Sequence, residues 1–290
     1  RVFLLNGRRE RCWQAYRWDY WRWHGVESLG HGSLESNVFL WEDGSGEIAA
    51  VLNSEAPGSA FLHVHPEQRS PVLEDEMLEI AEQFLGIPGP EGGLKLEVWA
   101  QADDVQRQEI LSRRGFYKGA WPEFQRRRSL QRFLDEQIAK ETVAAGYSVR
   151  AMGDTDENLA RNWLSWRAFL PDEPDENFGP DDFRLNLKRA PLYRRDLDLV
   201  AVAPDGEFAS FCTVWFDDVT RTGAFEPVGT APEHQRRGLG KAVMTEGLRR
   251  LRELGATLAF VGSYGDAAHA LYESVGFTQY DLNERWVKQL

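Results

Sequence analysis

The apolar positions of the chain fall into one order of patterns, and that order occurs twice. In the first half, 36–41 and 46–52 are apolar-rich runs on either side of the turn Glu42-Asp43-Gly44-Ser45-Gly46, and they read as a hairpin. Residues 60–64 form a third strand, 73–85 carry the three-to-four spacing of a helix, and 94–100 form a fourth strand. A helix over 103–114 ends at Gly115, after which Phe116 opens another strand. Residues 126–145 turn basic and then helical, with Ser129 as N-cap and Gly146 as the stop. The second half begins with a strand at 147–152. A helix at 154–169 follows, capped by Asp154 or Thr155, with Leu159, Trp163, Trp166 and Leu170 on its apolar stripe. After a loop rich in Pro, Asp and Glu at 171–180 and a helix at 181–190, strands at 197–203 and 208–216 flank the turn Pro204-Asp205-Gly206. A strand at 221–229 leads into a helix that runs to Leu254. The chain closes with a strand at 257–261, a helix at 266–274, and strands at 277–280 and 285–288.

Two anchors fix the correspondence between the halves. His65-Pro66-Glu67 stands where Ala231-Pro232-Glu233 stands later, and Arg114-Gly115-Phe116 matches Val275-Gly276-Phe277. In both copies a strand, a Pro-Glu turn, a helix, a strand and a helix ending in Gly-Phe follow one another. At 290 residues the chain is also long for one domain. The expected organisation is a first unit over 1–128, a helical connector over 129–146 and a second unit over 147–290, in the α+β (mixed α/β) class.

Composition narrows the functions open to such a chain. Hydrophobic residues make up 42%, with 11 Trp, which is ample for two cores. No apolar run reaches the roughly 18 residues of a membrane span, so a soluble protein with no membrane partner is expected. The first residue is Arg1 rather than Met, so the start reads as missing or processed, and no signal peptide is legible. A net charge of −12 argues against a nucleic-acid partner. Cations gather locally at 236–252, which suits a small anionic ligand. The two cysteines, Cys12 and Cys212, cannot build a disulfide framework and point to a reducing, cytoplasmic setting, with Cys212 in a strand core. His63 and His65 share a strand face, but no third ligand stands nearby; a partly buried polar pair is expected, and no metal. The stretch 12–24 holds four Trp and two Tyr on more than one helical face, so it packs between elements or lines an interface. Arg126, Arg127 and Arg128 read as a solvated helix entry.

The densest chemistry lies in Glu226-Pro-Val-Gly-Thr-Ala-Pro-Glu-His-Gln-Arg-Arg-Gly-Leu-Gly240 and the helix after it. Gly238 and Gly240 lack Cβ atoms, so an anion can approach the main chain, where the unpaired N–H groups of a helix start and its dipole face it. Arg236, Arg237 and Lys241 add charged donors. The spacing is neither that of the nucleoside-triphosphate loop nor that of the dinucleotide fingerprint. It reads Gln235-x-x-Gly238-x-Gly240, between a strand and a helix, with Leu271-Tyr272-Glu273-Ser274-Val275-Gly276-Phe277 downstream.

That combination resembles the pyrophosphate loop of the GNAT superfamily, the acyl-CoA-dependent N-acyltransferases. Together with the repeat it resembles tandem GNAT proteins, which implies two units, each a mixed, largely antiparallel sheet flanked by helices. In the first unit Val72 and Glu74 align with Gly238 and Gly240, and Leu111 with Tyr272. A β-branched side chain and a carboxylate oppose a phosphate, so the first unit is expected to be degenerate and to support the second. The resemblance implies acetyl-CoA as acyl donor, its pantetheine arm on the main chain of Val228, Gly229 and Thr230. Gln235, Arg236, Arg237, Gly238, Leu239, Gly240 and Lys241 would hold the diphosphate.

Tyr272 matches the family tyrosine that gives a proton to the departing thiolate. The family's strand glutamate falls on Ala224, but Glu226 is two residues on, on the same expected face, and its neighbours Phe225 and Pro227 favour proton uptake. Glu226 is therefore a candidate general base, or a binder of a cationic acceptor. Gly265 stands where many relatives carry an Asn that contacts pantetheine, with Asp266 the nearest polar substitute. Arg167, Phe169, Phe178 and Tyr193 are the candidate acceptor residues, with Arg194, Arg195, Asp196 and Asp198 at the margin or in a surface ion-pair cluster. The resulting expectation is direct acetyl transfer to a primary amine of a small molecule, by a monomer or homodimer. The alternative is a non-catalytic CoA-binding or scaffolding protein.

Overall fold

The structure is a computed structural model, and it describes residues 14–22, 32–89, 92–131, 143–179 and 187–289. The chain divides into two compact units, each discontinuous in sequence. The first comprises Arg1–Cys12, Gly25–Gln125 and Tyr280–Leu290, the second Trp13–His24 and Arg126–Gln279. This differs from the division at 128 and 147 that the repeat alone suggests. The final strand belongs with the first half of the chain, and the aromatic stretch near the N-terminus belongs with the second.

In chain order the elements are α1 (Gln14–Tyr20), α2 (Leu34–Asn37), β1 (Val38–Glu42), β2 (Ile48–Asn53), β3 (Ser59–Val64) and α3 (Pro71–Phe84). Then come β4 (Ile87–Pro88), β5 (Leu94–Gln101), α4 (Val105–Arg113), β6 (Tyr117–Lys118), β7 (Glu123–Ser129) and β8 (Ser148–Ala151). The rest are α5 (Asn158–Phe169), β9 (Asp198–Val202), β10 (Phe208–Asp217), β11 (Thr222–Thr230), α6 (Leu239–Glu253), β12 (Leu258–Ser263), α7 (Asp266–Ser274) and β13 (Gln279–Gln289).

The sheet of the first unit has the order β1-β2-β3-β5-β13, with β4 also on β5 and β6 on β13. Its β3 and β5 run parallel, because α3 carries the chain back between them. The apolar face of α3, Met77, Leu78 and Ala81, closes on Leu52, Leu62, Leu96 and Val98 of the strands and Ile110 and Leu111 of α4. Each large side chain so buried contributes roughly 1.5–3 kcal/mol.

The second unit repeats the plan in the order β7-β12-β11-β10-β9-β8. Here α6 joins the parallel pair β11 and β12. Val243, Met244, Leu248 and Leu251 form the buried stripe of α6 against Val214, Phe225 and Val261. Its outer face is laced by Glu246 with Arg249 and Arg250. Gly223 and Gly247 allow this closeness: a Cβ at 223 would lie 2.3 Å from Leu251 Cδ1, and one at 247 would lie 2.7 Å from Phe225 Cε1.

Several local expectations change. Residues 34–37 are a helical turn that precedes β1. Residues 126–129 are the end of β7, not a helix entry. Arg126 is buried; its guanidinium donates to Ser263 Oγ and Glu273 Oε1 at 3.1 Å each and to the Phe277 carbonyl at 3.2 Å. The N-cap of α5 is Glu157, without a side-chain cap bond, after a short 3-10 turn. The two expected closing strands are one, β13. The core of the expected connector helix, most of the expected helix 181–190, and Cys12 lie outside the described residues.

Candidate active site

The site begins where two strands part. Parallel pairing of β11 with β12 runs from Thr222↔Leu258 to Phe225↔Val261 and stops there, although β11 continues to Thr230. On its other side β11 stays paired with β10, but the register shifts: Val214 faces Phe225, whereas Cys212 faces Val228. Glu226 and Pro227 therefore bulge together opposite Thr213, and their peptide bond is cis. Bulges re-aim side chains. Phe225 and Val228 both pack on the core that contains Tyr272 and Phe277, so the simple alternation that put Glu226 on the face of Ala224 does not hold. Ala224 lies instead in a separate apolar cluster with Trp215, Phe260 and Leu192. The indole Nε1 of Trp215 donates to the main-chain carbonyl of Glu226 at 2.6 Å.

Tyr272 projects from α7 into the same core and is 7% exposed. Burial, the Glu226 carboxylate and Cys212 together push its phenol well above the ordinary value of 10.0. The hydroxyl thus keeps its proton at neutral pH, within electrostatic reach of the Glu226 carboxylate. Cys212 is fully buried, donates to the Val243 carbonyl at 3.3 Å, and is itself pushed up by burial.

Downstream of the bulge, Ser210 Oγ fixes the strand end, 2.8 Å from Thr230 Oγ1 and donating to the Gly229 carbonyl at 2.9 Å. A Cβ at Gly229 would lie 2.6 Å from Phe211 Cζ and 3.0 Å from Ala168 Cβ, so glycine lets α5 close on the strand. Gln235 Nε2 donates to the Thr230 carbonyl at 3.3 Å, tying loop to strand. Arg236 (φ 61) and Gly238 (φ 76) are both left-handed, and α6 starts with no side-chain cap. The Ala242 N–H donates to the Gly238 carbonyl at 2.9 Å. Among the described residues, none of the N–H groups from Arg236 to Gly240 donates to a protein acceptor. A Cβ at Gly238 would meet nothing within 4 Å, and residues 235–238 are exposed. Open space, successive unpaired N–H donors and the positive end of α6 fit a diphosphate. Gly240 has a different explanation: a Cβ there would lie 3.2 Å from Leu271 Cδ2 and 3.4 Å from Thr230 Oγ1, so this glycine serves internal packing. Beside the loop, Tyr147 Oη is 2.9 Å from His234 Nδ1, and the Arg237 guanidinium lies 6.0 Å from the centre of the Tyr147 ring. Asp266 is exposed in the first turn of α7, whose N-cap is Gly265.

The first unit has the same splay and a closed helix start. Parallel pairing ends at Ala60↔Val98 while β3 continues to Val64. At α3, Ser70 Oγ accepts from the Leu73 N–H at 3.2 Å, and Pro71 has no N–H to offer. Glu74, fully buried, accepts from Arg69, from Arg107 Nε at 2.8 Å and from Gln106 Nε2 at 3.1 Å. Burial opposes its charge, but the two guanidiniums hold its carboxyl below the usual range. A carboxylate of the protein thus stands at the position aligned with Gly240. His63 Nε2 lies 3.0 Å from Asn53 Oδ1.

The four candidate acceptor residues do not form one cluster. Arg167 lies 3.4 Å from Asp175 and 3.7 Å from Glu233, and Phe178 packs edge-on against Trp163 and Trp166. Phe169 packs on Phe211. Tyr193 donates to Asp198 Oδ2 at 2.9 Å and packs against Trp215. Arg194 with Asp196 and Arg195 with Asp154 are surface pairs, but Asp198 is fully buried, accepting also from Thr213 at 2.9 Å and facing Arg161 Nε at 4.0 Å. This buried group was not legible: Arg161 sits on the polar side of the helical pattern, and the carboxylate it faces, Asp198, comes from 37 residues away.

Comparison with known proteins agrees with this geometry. Residues 161–277 match the acetyltransferase (GNAT) family. A mycothiol acetyltransferase of Nocardiopsis dassonvillei is 32% identical over 304 residues, covering 90% of this chain and 82% of the relative. One of Paenarthrobacter aurescens is 26% identical, covering 86% and 76%. Among solved structures, a GCN5-related N-acetyltransferase from Sphaerobacter thermophilus superposes with a TM-score of 0.67 at 17% identity, covering 96% of this chain and 85% of that one. A tandem GNAT protein from the clavulanic acid biosynthesis pathway gives 0.60 at 16% identity, covering 85% and 81%. With a mixed-sheet unit present twice and most of a relative's length matched at 32% identity, the chain belongs to the GNAT family and is an acyl-CoA-dependent acetyltransferase.

Proposed function

We propose that the protein transfers an acetyl group from acetyl-CoA directly to a primary amine of a small molecule, and that the second unit carries the chemistry. The observation that supports this most is that Glu226, in the bulge where β11 parts from β12, acts electrostatically on the buried, protonated phenol of Tyr272. Acetyl-CoA bound there supplies an activated acyl group. The N–H groups of 236–240, with Arg236, Arg237 and Lys241, hold the diphosphate, and the free edge of Val228 to Thr230 takes the extended arm. Glu226 takes a proton from the acceptor nitrogen, directly or through water, which leaves the amine lone pair free to attack. Tyr272 holds a proton at Oη for the leaving sulfur. Arg167, Phe169, Phe178, Tyr193 and Asp266 are proposed as more distant contacts to acceptor and arm.

In this reading the first unit binds no CoA, since Ser70 caps the start of α3, Pro71 offers no N–H and Glu74 sets a carboxylate where a phosphate would lie. The name shared by the relatives, mycothiol acetyltransferase, supports a small-molecule acceptor. The test is thiol release from acetyl-CoA against a panel of small primary amines. At least one amine should give turnover that is lost in Glu226→Gln and in Tyr272→Phe. Binding of CoA without turnover for any amine rejects the amine acceptor, and unchanged CoA binding in Arg237→Glu rejects the diphosphate site.

A further inference from the structure

We infer that Trp215 is a positioning residue for Glu226, and that its indole and Ala224 together compensate for the missing strand carboxylate. This rests on the reading of Glu226 as the base. The two residues are register partners across β10 and β11, 1% and 3% exposed, and share a cluster with Leu192 and Phe260. A carboxylate at 224 would be buried among these apolar groups, against the indole, with no water to solvate it. With alanine there, the indole occupies the cluster and its N–H reaches two residues further along β11, to the Glu226 carbonyl.

That bond falls at the bulge, where β11 has lost the support of β12 and its residues are out of step with β10. A main chain held by one ladder through a bulge has slack, and the direction of the Glu226 side chain follows from the orientation of its own peptide. The indole fixes that orientation from the side. Its ring is in turn braced by Tyr20 of α1, edge-on at 6.0 Å, and by Tyr193 at 6.4 Å, whose hydroxyl is anchored on Asp198. Asp19 holds α1 in place by accepting from the Leu192 N–H at 3.2 Å. The aromatic stretch near the N-terminus thus acts on the site through one indole.

The test replaces residue 215 in the full chain by phenylalanine and, separately, by benzothienylalanine, an isostere whose ring sulfur cannot donate a hydrogen bond. Acetyl-CoA binding by calorimetry and the pH dependence of kcat are measured beside Glu226→Gln. The expected result for benzothienylalanine is a fall in kcat of roughly ten-fold or more, a displaced acid limb of the pH profile, and unchanged acetyl-CoA affinity. An unchanged kcat and pH profile overturns the proposal, and so does an equal loss of cofactor binding, which marks a purely structural tryptophan. If Glu226→Gln loses turnover and the isostere does not, positioning alone fails; if Glu226→Gln keeps full turnover, the base reading fails, and the proposal with it.

Discussion

The carboxylate of Glu226 and the phenol of Tyr272 come from different elements, β11 and α7, and burial of the phenol, reinforced by the charge of Glu226, holds the proton on Tyr272. A phenol raised well above 10.0 keeps its proton through the neutral and mildly alkaline range, so Tyr272 sets no alkaline limb near neutrality. Tyr272→Phe is expected to lower kcat roughly 100-fold or more, with acetyl-CoA affinity unchanged and the acid limb kept. Steady-state kinetics from pH 5 to about 9.5 with parallel calorimetry checks this, and an alkaline limb abolished by the substitution would contradict it.

Gly238 combines a left-handed φ of 76 with open space around its missing Cβ. Gly238→Val should therefore strain the loop by roughly 1–2 kcal/mol and obstruct the diphosphate. The expected readout is at least a ten-fold weaker CoA affinity by calorimetry with a melting temperature lowered by only a few degrees. Equal affinity would show that the loop does not meet the diphosphate.

In the first unit, removal of the Glu74 carboxylate leaves Arg107 and Arg69, both partly buried and the latter still paired with Asp104, around a gap. Glu74→Ala is expected to cost roughly 3–5 kcal/mol, read by denaturant unfolding, while CoA binding persists in whatever remains folded. The pH sense follows from the depressed carboxyl. Its contribution is complete above the ordinary value of 4.5 and is lost as pH falls through the lower folded value. Glu74→Gln should accordingly flatten the acid side of the stability curve.

Gly223→Ala tests the contact of sheet with α6. A methyl group would overlap Leu251 Cδ1 at 2.3 Å and Cδ2 at 2.6 Å. Overpacking of this kind costs roughly 1–3 kcal/mol, measurable as a fall in denaturation midpoint. No change would mean that Leu251 repacks freely.

What the sequence disclosed depended on whether the deciding interaction was local. The run from Gln235 to Gly240 was legible because an uncapped, glycine-bearing helix start is a property of neighbouring residues, and α7 has its expected bounds. The repeat was legible for the same reason, and both copies prove to splay at equivalent points, Ala60↔Val98 and Phe225↔Val261. Arg126 and Arg128 looked solvated because their acceptors, the Phe277 and Val275 carbonyls, are found only once the end of α7 is in place. The side of the strand that carries Glu226 is not legible from period-two alternation, which cannot foresee a bulge. At Gly240 the sequence shows the possible approach of an anion but not the packing constraint set by Leu271.

The exchange of chain ends between the two units carries a practical meaning for dissection. A fragment beginning at 147 would keep β13 but lose β5 and β6, the strands against which it is paired, and would lose α1, which closes over Trp215. A fragment ending at 128 would keep β5 with its β13 side bare. Each half of the gene therefore encodes a unit with a part missing and a sticky edge added. The smallest piece of this protein that can be expected to behave as a folded enzyme is the chain that includes both ends.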